Sequence, residues 1–121
     1  AAARTAGIDL VMIAAPNTPS ATLTKIAQLS SGYTYCVARA GVTGADAELA
    51  LDHGSLFASL GNAGAPPPVL GFGISSPEQV RQALASGAAG VISGSAIVAR
   101  VEQGAAAVRD FVATMKAATA R

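Results

Sequence analysis

Two short apolar runs, Val69 to Ile74 and Ala89 to Ser93, each break off at glycine and serine and lead straight into a helix start. They lie on either side of one helix in the stretch Pro66 to Arg100, and they limit the fold more than any other part of the chain. An apolar run interrupted by glycine marks the end of a buried strand whose backbone another group must approach. Ser76-Pro77-Glu78-Gln79 then supplies an N-cap, a proline at the first helical position and a glutamine that closes a capping box. That helix runs to Gly87, and after the next strand Ser93-Gly94-Ser95 opens another helical segment. Consecutive strand-to-helix turns of this composition aim backbone N–H groups outward at helix N-termini, which suits a phosphate dianion. A single such turn would favour tight turning and helix–strand packing instead; the pair reverses that preference.

The remaining chain follows the same alternation. Ala1 to Ala6 reads as the end of a helix, and Ile8 to Ala15 as a continuous apolar strand covered on both faces, with Asp9 at its solvent end. Thr18 is expected as N-cap and Pro19 as first helical residue of a helix with Leu23, Ile26, Ala27 and Leu29 as its apolar stripe. Ser30-Ser31-Gly32 ends it. Tyr33 to Ala38 is the second strand, with Tyr33, Tyr35 and Val37 on one face and Thr34, Cys36 and Ala38 on the other. Inside a barrel Tyr35 would lie near a ligand; a core tyrosine with a satisfied hydroxyl fits equally well. Cys36 is expected as a small buried filler.

Arg39 to Leu49 is the least regular part, with Gly41 and Gly44 flanking Val42-Thr43. It can be read as a lid over a site or as an ordinary surface loop. Leu51 to Leu60 resumes as a helix on which His53, the only histidine, is expected at the surface. Pro66-Pro67-Pro68 is a stiff connector into the third strand. After the fourth strand, Gly94 to Val101 forms a short helix, and Val108, Phe111, Val112 and Met115 give a last helix one apolar face.

The tally is α/β: a parallel (βα)4 arrangement over residues 1–121, half of a (β/α)8 barrel, with the phosphate grip at 71–76 and 93–96. A full barrel takes roughly 250 residues, and phosphate in such barrels is commonly held by the loops after the last two strands. Half a barrel leaves strand edges and one sheet face open, so a second copy of the chain or a missing half is expected as partner. A net charge of +1 and 4% aromatic residues argue against nucleic acid. With no apolar run near the roughly 18–20 residues of a bilayer span, a membrane role is not expected. A lone cysteine rules out an internal disulfide and a cysteine-based zinc cluster, and a cytoplasmic setting with no metal is expected.

Gly41-Val42-Thr43-Gly44, Gly71-Phe72-Gly73-Ile74-Ser75-Ser76-Pro77-Glu78 and Gly90-Val91-Ile92-Ser93-Gly94-Ser95-Ala96 together resemble the tryptophan synthase α subunit, from the family's fifth strand to its C-terminus. The resemblance implies a (β/α)8-barrel lyase of tryptophan biosynthesis that cleaves indole-3-glycerol phosphate to indole and glyceraldehyde 3-phosphate. Indole would pass to a β subunit that carries pyridoxal phosphate, with no cofactor in this subunit. Gly44, Gly73, Gly94 and Ser95 would hold the substrate phosphate, Phe72 would touch the indole ring, and Tyr35 would lie beside the catalytic region. Arg39, Gly41 and Thr43 would belong to the closing loop, with Thr43 meeting a catalytic aspartate. The family's catalytic glutamate and aspartate belong to the N-terminal half, so the resemblance implies no catalytic residue here and no turnover by this segment alone. Two alternatives from the residues themselves are a sugar-phosphate isomerase barrel and a non-catalytic dimeric half-barrel that binds phosphate.

Overall fold

The computed structural model describes residues 2–37, 53–71 and 73–120. A short helix α1 (Ala2–Thr5) precedes strand β1 (Ile13–Ala14), helix α2 (Ser20–Leu29) and strand β2 (Thr34–Val37). Helix α3 (His53–Asn62), strand β3 (Pro68–Gly71), helix α4 (Pro77–Ala85) and strand β4 (Gly90–Val91) follow, then helices α5 (Ser95–Val101) and α6 (Ala105–Ala117). Among the described residues the strands form one parallel sheet in the order β1-β2-β3-β4, the sequential order expected of successive βα units.

Register divides the sheet into two unlike faces. Ala14, Cys36, Leu70 and Val91 stand side by side across the strands. Ala14, Cys36 and Leu70 are almost completely buried, and they share a core with Leu23 and Ile26 of α2, Leu56, Phe57 and Leu60 of α3, Val80 and Ala83 of α4, and Phe111 and Met115 of α6. The neighbouring row, Ile13, Tyr35, Val69 and Gly90, points to the other side. Ile13 is 64% exposed, and Tyr35, Val69 and Gly90 are half-buried. Period-two alternation in β2 is therefore as expected: Thr34 and Cys36 face the helices, and Tyr35 and Val37 the open side.

Several expectations are corrected. The strand expected over Ile8 to Ala15 pairs only at Ile13–Ala14, and Ile8 and Leu10 are exposed. As an edge segment it has one neighbour, and its earlier part is held by loop bonds: Leu10 N–H donates to Ser31 Oγ (3.0 Å) and Ser31 N–H to the Leu10 carbonyl (2.9 Å). Thr18 does not cap α2, because its hydroxyl accepts from Ala15 N–H (2.9 Å) to close the preceding turn. Leu29 is exposed while Ser30 is buried, since Ser30 stands four residues beyond Ile26 and keeps the stripe. On α6 the buried stripe includes Phe111 and Met115, and Val112 lies at its margin, 44% exposed.

His53 is the plainest reversal. It is 1% exposed, with its ring 6.2 Å from that of Phe57. His53, Leu56, Phe57 and Leu60 recur at i, i+3, i+4 and i+7, so the histidine occupies the first position of the stripe that faces the core.

Candidate functional site

The two glycine turns lie side by side at the C-terminal ends of β3 and β4. Gly73 follows β3 in the left-handed region, with φ 79°, and is exposed. A Cβ there would meet no described atom within 4 Å, so glycine serves the backbone angle and open approach at this position. Gly94 precedes α5, is exposed and likewise has open space around it. One bond ties the turns together: Ser93 Oγ donates to the Ile74 carbonyl at 2.8 Å, across a sequence separation of 19. Ile74 itself is 3% exposed and anchors its turn in the core.

The turns differ in what their N–H groups do. At the start of α4, Gln79 Oε1 accepts from Ser75 N–H (2.7 Å) and Ser76 N–H (3.2 Å), while Gln79 N–H donates to Ser76 Oγ (3.3 Å). The capping box expected at Ser76 is present, and it takes up the N–H groups of Ser75, Ser76 and Gln79. At α5 the N-cap is Gly94, which has no side chain to fold back. The N–H groups of Gly94, Ser95 and Ala96 have no acceptor within the helix, as for the first residues of any helix. The helix ends are thus unequal as anion donors: α5 offers its first turn, and α4 closes its own.

On the open face Tyr35 crosses from β2 to β3 and lies against Gly71. A methyl group at Gly71 would come within 2.5 Å of Tyr35 Oη and 2.7 Å of its Cζ. Glycine at this strand end therefore makes room for the phenol, which is brought to the same end of the sheet as Gly73. Cys36, on the opposite face, is completely buried, and burial pushes its thiol up to about 12 from 9.0. Such a thiol is inert filler, as the sequence suggested.

Of the expected site residues, the structure brings Tyr35, Gly73, Gly94 and Ser95 to one end of the sheet. Arg39, Gly41, Thr43, Gly44 and Phe72 lie outside the described residues. Sequence reading missed two contacts. Ser93 falls within the expected grip at 93–96, but its bond to the Ile74 carbonyl has no signal in the sequence. The half-buried Arg100, which lies over the Phe111 ring with its Cζ 3.8 Å from the centroid, had no signal beyond its place in the last turn of α5. No helix among the described residues is long and apolar enough to cross a membrane.

Comparison with known proteins identifies the family and the fold. The family model described as tryptophan synthase alpha chain matches residues 1–121. The alpha chain of Aeromonas salmonicida is 49% identical over all of this chain and 48% of its own length; that of Shewanella amazonensis is 48% identical over 98% and 47%. This chain thus spans about half the length of the curated relatives it matches. Among solved structures, the tryptophan synthase α2β2 complex of Pyrococcus furiosus has a chain that matches with TM-score 0.75 and 34% identity, over 94% of this chain and 46% of that one. Aminoacrylate-bound tryptophan synthase of M. tuberculosis matches with TM-score 0.79 at 24% identity, over 98% and 43%, which bears on the fold alone. The sheet order, the paired glycine turns and the identity to curated members lead to one conclusion: this chain belongs to the tryptophan synthase alpha chain family.

Proposed function

We propose that this chain is the phosphate-holding half of a lyase that cleaves indole-3-glycerol phosphate to indole and glyceraldehyde 3-phosphate. The observation that carries the reading is the Ser93 Oγ to Ile74 carbonyl bond, which sets the Gly73 turn beside the Gly94 N-cap. A phosphate between them would meet the N–H groups around Gly73-Ile74 and those of Gly94-Ser95, and the N-terminal end of α5 favours its charge. Gly44 would add a backbone donor. Tyr35, lying against Gly71, would border the reacting part of the substrate, and Phe72 would contact the indole ring. Arg39, Gly41 and Thr43 would belong to a loop that closes over them.

This division of labour leaves general acid and base groups to the N-terminal half of the family's barrel. Proton transfer of this kind is worth about 10²–10⁴-fold per group, so the 121-residue chain alone should turn over near background. A β subunit that binds pyridoxal phosphate would be the partner receiving indole, and no cofactor is assigned to this chain.

An indole-release assay on the chain alone and with a fragment supplying the first four βα units tests the assignment. Activity is expected only in the mixture, provided the halves dock. Clear turnover by the chain alone, abolished by Gly94→Val, would place a catalytic pair within these residues. A titration with glycerol phosphate tests the grip itself. A Cβ at Gly94 would meet no described atom within 4 Å, so the valine variant should fold and bind more weakly. Unchanged affinity would remove the phosphate reading.

A further inference from the structure

Arg100 stands at the end of α5 away from Gly94, yet its side chain runs back along the helix. Its Nη1 donates to the Ala96 carbonyl at 2.8 Å, in the first turn of α5. Its guanidinium plane covers the ring of Phe111, with Cζ 3.8 Å from the centroid. Phe111 is 9% exposed and belongs to the core, together with Met115 one turn further along α6. A continuous path therefore joins the core to Phe111, then to the Arg100 guanidinium, then to the carbonyl of the turn that begins at Gly94.

This path answers a mechanical problem. Helix α5 has seven residues and none of them is fully buried. So short a helix has little intrinsic stability, and its direction must come from contacts made by its side chains. Ala96 and Ile97 are partly buried against the core and hold one side of the helix, whereas Val98 and Val101, 68% and 60% exposed, supply little, so Arg100 is the anchor near its far end. Arginine suits the task better than lysine, because its planar guanidinium can stack on an aromatic face while an edge N–H still donates.

We propose that Arg100 is a positioning residue for substrate phosphate: clamped on Phe111 and bonded to the Ala96 carbonyl, it sets the angle at which α5 presents the Gly94-Ser95 backbone. The inference rests on the phosphate reading above. Arg100 is not assigned any contact with substrate.

The test uses the full-length protein that contains this chain, with two probes: glycerol 3-phosphate, which needs the grip, and indole, which does not. Arg100→Ala should weaken glycerol 3-phosphate by about three- to tenfold, the range expected for loss of one partly desolvated cation–π contact. Indole affinity should stay unchanged. In cleavage of indole-3-glycerol phosphate the variant should raise KM by more than it lowers kcat, as for lost binding at a non-reacting end. Arg100→Lys and Phe111→Leu, which keep the charge or the apolar volume, should each show a smaller loss of the same kind. Equal weakening of both probes would mean a general loosening of the fold and would overturn the proposal. So would a normal glycerol 3-phosphate affinity in Arg100→Ala when Gly94→Val has lost it. If Gly94→Val also binds normally, the phosphate reading has failed, and the role of Arg100 fails with it.

Discussion

The two faces of the sheet are built from alternate residues of the same strands, yet they live in different surroundings. The row Ala14, Cys36, Leu70 is sealed under helices, whereas its neighbour Ile13, Tyr35, Val69 lies on the opposite face, where Ile13 is exposed and Tyr35 and Val69 are half-buried among the described residues. The sealed face holds the inert groups, including a thiol that burial keeps protonated. The open face, with the glycine turns at its end, holds a tyrosine fitted to a glycine and the backbone proposed to meet substrate. On the proposed reading, stability and substrate binding are divided by strand alternation, not by position along the sequence.

The largest test of that contrast is association. If the open face needs cover, the 121-residue chain alone should sediment at micromolar concentration as a dimer, an aggregate or, with the other barrel half added, a complex. A compact monomer with cooperative unfolding would show that the open face is tolerated in water.

Next comes a pair of truncations on adjacent residues of β3. Leu70 is 1% exposed, and Leu70→Ala should cost about 2–5 kcal/mol in urea denaturation of the folded protein. Val69→Ala, on the half-buried side, should cost under about 1 kcal/mol. Equal costs would mean that the two faces are equally covered in solution.

A smaller effect isolates the Tyr35 contact. Gly71→Ala forces a methyl group against the phenol and should destabilise by about 1–3 kcal/mol, as overpacking does. Tyr35→Phe should give little relief, because Cζ as well as Oη is in the way; Tyr35→Ala should relieve most of it. A double-mutant cycle with no coupling between positions 35 and 71 would contradict the arrangement.

The last effect belongs to the sealed face. Folding raises the Cys36 thiol from 9.0 to about 12, so the folded state holds its proton more tightly. Stability from this group is complete below pH 9.0 and is lost as pH rises through about 12. The slope can reach about 1.4 kcal/mol per pH unit within that window. Cys36→Ala should flatten this part of the alkaline stability profile. An identical profile in both proteins would mean that the thiol is not sealed.

What could be read from the residues alone was whatever is decided locally. The capping box at Ser76 needs only residues 75–79, and it forms as expected. The alternation of Thr34, Tyr35, Cys36 and Val37 follows from strand geometry, and the sequential parallel order from short right-handed connections. The capped start of α4 and the glycine before α5 were therefore legible as a pair. Their inequality was not, because it depends on Gln79 folding back over the donors of its own helix.

Tertiary structure decided the rest. His53, the only histidine, is expected at the surface, but helical phase carries it inward with Phe57. Thr18 had two acceptable partners within a few residues, and the turn at Ala15 took its hydroxyl before the helix could. Tyr35 could face a ligand or a core until β3 placed Gly71 beneath its ring. Ser93 and Ile74, like Arg100 and Phe111, meet only because strands and helices far apart in sequence pack side by side. Local hydrogen bonding and residue periodicity set the elements, since each acts within a few residues. Which side chain fills which space depends on neighbours that only the assembled sheet brings together.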